Sequence, residues 1–345
     1  MKTIQVQPCK DHHEMKAALG CLGQYFGPLP TDEMTARFLR FLPLDRMLSA
    51  RDNDLIVGGA GAFPFQLSIP GGELPCAGVT VVGVSPTHRR RGVLTAMMRA
   101  QLEDIHNRRE PLAALWASDE RIYGRFGYGI ASRQGGISLP RREASFRAVP
   151  PDDVTLRFVE LPEAMRLFPL LWERLGHERS GVFSRSPAWW ELRALGENPS
   201  RPSPNPKRLI VLERDGVAEG YAIYRHNAAW SGGQMSSKLQ ILEAIGSTPR
   251  STAQLWRYLL DIDWIETIEA EHLPLDHPLF FLLEQPRRMQ LKVVDALWVR
   301  LVDVLAALTA RRYESSEEVV LQVTDKLCPW NEGRYALGGS VSRNH

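Results

Sequence analysis

What this chain lacks narrows it first. No run approaches the ~18 consecutive apolar residues that suggest a membrane-crossing helix, and residues 1–8 carry no apolar core of the kind a secretory leader shows. A strong charge of either sign is missing. The 42 Lys and Arg against 40 Asp and Glu leave a formal net charge of +2, and outside one triplet the basic residues are scattered. A nucleic-acid partner calls for a basic stripe, so none is expected. Cysteine is scarce as well. Cys9, Cys21, Cys76 and Cys328 lie far apart, with no Cys-x-x-Cys pair and no Cys/His cluster. That excludes a disulfide framework and a zinc site and points to reduced thiols. His12-His13 is too isolated to hold a metal. The expected setting is the cytoplasm, with neither metal nor membrane partner. Two nucleotide signatures are absent too: the Gly-x-x-x-x-Gly-Lys-Ser/Thr loop, and Gly-x-Gly-x-x-Gly after an N-terminal strand.

What is present is concentrated in residues 79–92, Val-Thr-Val-Val-Gly-Val-Ser-Pro-Thr-His-Arg-Arg-Arg-Gly, followed by a helical run over 93–105. A β-branched strand enters a turn of three arginines and a glycine, and a helix opens there. Such a start sets unpaired backbone N–H groups beside concentrated positive charge, an anion receptor suited to a pyrophosphate. An arginine triplet alone is more often a solvated face. The strand before it is apolar on both faces, as a buried strand is. Gly92 stands at the junction, where a side chain would obstruct a phosphate.

Arg89-Arg90-Arg91-Gly92-Val93-Leu94 resembles the Arg/Gln-x-x-Gly-x-Gly/Ala signature of the GCN5-related N-acetyltransferases (GNAT), with Leu94 where that family has a small residue. A second block at 114–129, Ala-Leu-Trp-Ala-Ser-Asp-Glu-Arg-Ile-Tyr-Gly-Arg-Phe-Gly-Tyr-Gly, sharpens the likeness. With residues 85–92 it is similar, in order and spacing, to the Eis (enhanced intracellular survival) acetyltransferase family. Weaker likeness runs through the middle of the chain and to Cys-Pro-Trp-Asn-Glu-Gly-Arg-Tyr at 328–335. The resemblance implies an α/β (α+β mixed sheet) fold of tandem GNAT-like acetyltransferase domains followed by a partial sterol-carrier-protein-like domain. The expected divisions are 1–150 for the catalytic domain, 151–286 for a degenerate second copy and 287–345 for a truncated third. It also implies acetyl-CoA as acetyl donor and a primary amine as acceptor, either an aminoglycoside-like small molecule or a protein lysine. A symmetric homo-oligomer, with a hexamer among its forms, completes the expectation.

The same resemblance assigns residues. Val82, Gly83 and Val84 would pair through their backbone with the pantetheine arm. Arg90, Arg91, Gly92, Val93, Leu94 and Thr95 would surround the pyrophosphate, and Ser118 and Asp119 would add further contacts. Tyr123 matches the family's general acid, which reprotonates the departing thiolate; a phenol with a pKa near ~10 suits that exchange. Without the resemblance, 82–84 reads as a core strand and Tyr123 as an aromatic packed beside Phe126 and Tyr128. The family draws its general base from the chain-terminal carboxylate of a complete third domain, so His345 is not expected to serve here. Asp119, Glu120, His88 or a water chain stay open as bases, with His88 read rather as a support of the turn. The competing expectation is an acyl-CoA-binding protein of this fold with little or no transfer.

Periodicity places helices at 11–25 and 31–41 and strands at 46–50, 55–69, 76–84 and 112–116, with a short helix at 120–126. A strand at 137–139 is expected to close the first sheet. An echo follows: residues 208–216 answer 46–53, a glycine-bearing strand at 220–224 answers 58–63, and a strand at 238–245 precedes a helix at 252–262. At the place of the arginine turn this copy has Gly246-Ser247-Thr248-Pro249-Arg250. The inference is a duplicated fold whose second copy lost its phosphate cradle. Residues 199–206, rich in proline, read as an exposed loop. A strand at 291–299, a helix at 302–310, a strand at 319–323 and a polar tail after Leu337 end the reading.

Overall fold

The computed structural model describes residues 4–27, 29–198, 203–231, 233–315, 317–338 and 340–344. They form two compact units: residues up to 131 with 179–186 and those from 297 onward, and residues 132–178 with 187–296.

The first unit begins with β1 (Gln5–Pro8), α1 (His12–Phe26) and α2 (Asp32–Leu39). Both helices start where short polar side chains can take an orphan amide. Asp11 accepts from the Glu14 N–H at 2.9 Å and Thr31 from the Met34 N–H at 3.1 Å. β2 (Met47–Asp52), β3 (Leu55–Ile69) and β4 (Gly72–Val84) form an antiparallel meander. α3 (Val93–Asn107) then crosses to β5 (Leu112–Trp116), which lies parallel to β4. α4 (Glu120–Tyr123) and β6 (Gly129–Ile130) follow.

The second unit runs from β7 (Arg133–Pro140) and β8 (Thr155–Phe158) through α5 (Leu161–Glu178) and α6 (Pro187–Trp189) to β9 (Arg208–Arg214) and β10 (Val217–Asn227). A small pair, β11 (Trp230–Ser231) and β12 (Gln234–Met235), precedes β13 (Lys238–Gly246). α7 (Pro249–Asp261), β14 (Thr267–Leu273), α8 (Leu279–Leu282) and β15 (Lys292–Asp295) complete it. The chain re-enters the first unit as β16 (Leu297–Leu301), α9 (Val304–Thr309) and a small sheet of β17 (Val319–Val323), β18 (Gly333–Gly338) and β19 (Ser340–Asn344).

The two main sheets repeat one plan. Their orders are β1-β2-β3-β4-β5-β16-β6 and β15-β7-β14-β13-β10-β9-β8. In each, an antiparallel meander ends in a long strand, a helix crosses over, and the next strand is parallel: β4–α3–β5 in one, β13–α7–β14 in the other. Even the bulge recurs. Thr80 and Gly83 of β4 face Gly61 and Gly59, and Ile241 and Glu243 of β13 face Tyr224 and Ile223, so each long strand carries one extra residue.

Three expectations need correction. The strand at 137–139 does not close the first sheet; as part of β7 it pairs with β14 and β15 in the second. The run at 291–299 is two strands, β15 in the second sheet and β16 in the first, where it lies between β5 and β6. Each sheet thus takes the neighbour of its parallel strand from the other half of the chain. Alternation of apolar residues marks a strand and its buried face but not the sheet it joins. Residues 340–344 are a strand against β18 rather than a tail. Of the proline-rich loop, 199–202 lie outside the described residues, as does His345. No helix among the described residues is long and apolar enough to cross a membrane.

Candidate active site

The site begins where two parallel strands part. β4 and β5 pair from Cys76 opposite Leu112 to Gly78 opposite Ala114, and pairing then stops although β4 runs on to Val84 and β5 to Trp116. A crevice outside the carboxyl ends of parallel strands is where ligands enter open α/β sheets. The β4 bulge lies along it. Val81 holds φ +47°, a left-handed backbone that costs a β-branched residue about 1–3 kcal/mol. Opposite it, β3 is glycine-rich because both helices press on it. A Cβ on Gly58 would lie 2.9 Å from the Met97 sulfur of α3, and one on Gly59 would lie 2.6 Å from the Ala18 carbonyl oxygen of α1. Successive strand residues face opposite ways, so α3 and α1 cover opposite faces here.

The end of β4 shows which way its free groups point. The Ser85 N–H donates to the Val57 carbonyl of β3 at 2.8 Å. In a trans peptide the carbonyl points the other way, so the Val84 oxygen faces away from β3. There it accepts a hydrogen bond from the Tyr25 hydroxyl at 2.9 Å.

Beyond Val84 the chain reaches the mouth of α3. Its first intrahelical bond is from the Ala96 N–H to the Gly92 carbonyl at 3.0 Å, and no side chain caps the N–H groups before it. Arg90 and Gly92 both take left-handed φ, +61° and +82°. Nothing lies within 4 Å of where a Gly92 Cβ would stand, so the mouth is open. Arg89, Arg90 and Arg91 are all exposed. Among the described residues Arg89 and Arg90 form no ion pair, and Arg91 has only Asp52 at 3.9 Å. Uncompensated guanidinium charge therefore sits beside orphan amides and the positive end of the helix dipole. His88 supports the turn from below: its Nδ1 is 2.8 Å from the Thr87 hydroxyl and its Nε2 3.5 Å from Asp52.

Tyr123 reaches the same place from the other strand. It is buried in one cluster with Val79, Val82, Leu94 and Ala117, so the strand end, the helix start and the α4 tyrosine meet. Its ring lies edge-on to Tyr128, centroids 6.1 Å apart. Among the described residues its hydroxyl has no hydrogen-bond partner, and burial pushes its pKa above the ordinary phenol value. Asp119 caps α4, accepting from the Arg121 N–H at 3.0 Å and the Arg121 guanidinium at 2.9 and 2.7 Å. The Arg121 bonds hold its carboxyl down at about 2. A carboxylate so weakly basic and so engaged is poorly suited to take a proton from an amine. Glu120 is exposed at the first position of α4 and Ser118 is exposed just before it. Val93 turns its side chain into the core, leaving its backbone to the mouth.

The second unit has the same crevice but a closed mouth. β13 and β14 pair only as far as Ile241 opposite Ala270. Thr248 and Ser251 then cap α7 reciprocally: the Thr248 hydroxyl accepts from the Ser251 N–H at 3.0 Å and the Ser251 hydroxyl from the Thr248 N–H at 2.9 Å. Arg250, the arginine this copy retains, is paired with Asp153, which also takes Arg214 at 2.6 Å. At that cap the Thr248 and Ser251 amides and the Arg250 charge are all engaged.

Two residues went unnoticed in the sequence. Val81 had an indirect signal, since glycines inside a strand mark a bulge or a close approach. Tyr25 had none, because its partner is far along the chain. Among the described residues no group of three His, Cys, Asp or Glu side chains gathers as a metal site.

Comparisons with known proteins fall on the same elements. Two family models, each described as an acetyltransferase (GNAT) domain, match residues 8–131 and 181–301, and a sterol carrier protein domain model matches 304–344. An uncharacterised N-acetyltransferase of Streptomyces avermitilis is 44% identical over 300 residues, 86% of this chain and 73% of that protein. The N-acetyltransferase Eis of Mycobacterium tuberculosis is 33% identical over 327 residues, 91% and 76% of the two chains. Among solved structures, Eis1 from Mycobacterium abscessus superposes with a TM-score of 0.82 at 30% identity, over 99% of this chain and 85% of that one.

Proposed function

The chain belongs to the GCN5-related N-acetyltransferases, in the group that carries the Eis enzymes, and on that premise we propose that its first unit moves the acetyl group of acetyl-CoA onto a primary amine. The observation that carries the reading is the open α3 mouth with unpaired Arg89 and Arg90, set at the end of a parted strand pair and in packing continuity with Tyr123. A thioester must be held still and its thiolate leaving group protonated. Arg90, Arg91 and the amides of Gly92, Val93, Leu94 and Thr95 hold the pyrophosphate. The free edge at Val82, Gly83 and Val84 receives the pantetheine, and Ser118 and the Asp119 backbone border its reactive end.

The amine nitrogen bonds to the acetyl carbon as the carbon–sulfur bond breaks, and the phenolic proton of Tyr123 goes to the thiolate. Burial keeps Tyr123 protonated at neutral pH, so its proton is in place when the thiolate forms. The amine gives its own proton to solvent, and solvent returns one to the Tyr123 phenolate. The second unit acts as scaffold, with its helix mouth closed by Thr248 and Ser251. The acceptors this reading covers are aminoglycoside-like amines and protein lysines. Four buried free thiols suit a reducing cytoplasm, and a homo-oligomer follows from kinship with the group.

The test is mass-shift analysis of an amine panel incubated with acetyl-CoA, read beside release of free coenzyme A. A gain of one acetyl group with matching release supports transfer. Tight acetyl-CoA binding without amine-dependent release returns the chain to an acyl-CoA-binding role.

A further inference from the structure

Residues 325–331 lie far along the chain from both site blocks, yet they grip an element of each. The Trp330 indole stacks on His106 of α3, ring centroids 4.1 Å and planes 17° apart, and its Nε1 donates to the Val302 carbonyl at 2.7 Å. Asn331 donates to that carbonyl at 3.0 Å and to Asp325 at 3.1 Å, and accepts from the Val304 N–H at 2.9 Å. Asp325 accepts from the N–H groups of Leu327 and Cys328 at 3.2 and 3.0 Å. Both its oxygens take Nη2 of Arg300, at 2.7 and 2.5 Å.

Arg300 carries this network to the other element. On β16, buried, it lays its guanidinium against Gly127, where a Cβ would stand 2.8 Å from both Nε and Cζ. Gly127 has φ +82° and closes the turn behind Tyr123: its N–H donates to Gly124 at 3.0 Å, and the Tyr128 N–H donates to the Tyr123 carbonyl at 3.3 Å. Arg300 Nε and the Tyr128 hydroxyl are both buried and without a hydrogen-bond partner among the described residues. Asp325 is the carboxylate that pairs with this cation, and the Cys328 thiol bonds to it as well. Burial works to raise the Asp325 pKa, but Arg300, Asn331 and the Cys328 N–H outweigh it and hold the carboxyl below its ordinary value.

We infer that the Arg300–Asp325 pair positions Tyr123: it seats the 124–128 turn, and through it holds the phenol where the proton is delivered. The pair touches no reacting atom, and the inference rests on Tyr123 being the general acid. Taking away the carboxylate leaves a buried cation unpaired, which is strongly unfavourable. The guanidinium then moves toward water and the turn loses its floor.

The experiment compares Asp325→Asn, Tyr123→Phe and the double variant in the full chain, with kcat expressed per coenzyme A site counted by calorimetry. Asp325→Asn is expected to lower kcat by roughly 10–100-fold, the scale of a misplaced catalytic group, with KM for acetyl-CoA changed less than about threefold. In the Tyr123→Phe background it is expected to add less than about twofold, because coupled residues are not additive. Asp325→Glu, which keeps the carboxylate, should recover more of kcat than Asp325→Asn. An unchanged kcat in Asp325→Asn, or a loss that multiplies with that of Tyr123→Phe, overturns the inference. Full kcat in Tyr123→Phe removes the proton donor itself, a failure read from a different variant. Arg300→Lys, which keeps the charge but not the planar fork, gives the same comparison if Asp325→Asn does not accumulate folded protein.

Discussion

The hydroxyl of Tyr25 donates to the Val84 carbonyl at 2.9 Å, on the edge of β4 that no strand covers. An amide of the pantetheine arm that takes the position of the phenol on this carbonyl displaces it. Tyr25→Phe is therefore expected to tighten coenzyme A by roughly 2–10-fold, the net worth of one hydrogen bond at about 0.5–1.5 kcal/mol. Isothermal titration calorimetry reads it. Weaker binding would mean that the hydroxyl serves the bound state instead.

Tyr123→Phe keeps the ring in its cluster and removes the proton. The expected outcome is a kcat lower by about 10²–10⁴, the usual contribution of a general acid, with coenzyme A affinity unchanged. With Tyr123 in the proposed role of acid the active form is the protonated one, and burial raises the pKa. Loss of kcat from this group therefore begins only above the ordinary phenol value of ~10. A steady-state profile carried to that pH checks it.

Asp119 has its folded pKa depressed from 3.8 to about 2. Its ionised form therefore contributes stability that is complete above 3.8 and is lost as pH falls through about 2. Any decline of kcat between neutral pH and pH 4 belongs to another group. Asp119→Asn should leave that acid limb where it is, and a limb that disappears in the variant would restore Asp119 as a base.

The closed mouth of α7 predicts one coenzyme A per chain. Arg250→Ala, which frees Asp153 in the second unit, should leave stoichiometry and affinity as they were. Two sites in calorimetry, or a loss of affinity in Arg250→Ala, would show that the second crevice also takes the ligand.

The parts of the site built from neighbouring residues were legible in the sequence. The strand ending at Val84, the helix opening at Val93, the strand Leu112–Trp116 and the turn around Tyr123 all stand where periodicity and the two blocks put them. Each is a local event with a local signal: β-branched runs, a junction glycine, an aspartate before a short helix. The exchange of β7 and β16 between sheets has no such signal, because strand alternation records burial and not partnership. Val81 in a left-handed backbone goes against its own propensity and is imposed by the pairing around it. Arg300 and Asp325 meet only because β16 returns to the first sheet. That is a property of the assembled fold rather than of either residue's neighbours.

The central claim is that the uncapped, arginine-rich start of α3 holds a pyrophosphate, and calorimetry of coenzyme A against the parent and the Arg90→Ala/Arg91→Ala variant tests it most directly. The account predicts one site per chain, weakened by roughly 10–100-fold in the variant at the about 1.5–3 kcal/mol of a charged hydrogen bond, with a shallower dependence on salt. Absence of binding in the parent, or equal affinity and equal salt dependence in the two proteins, would contradict it.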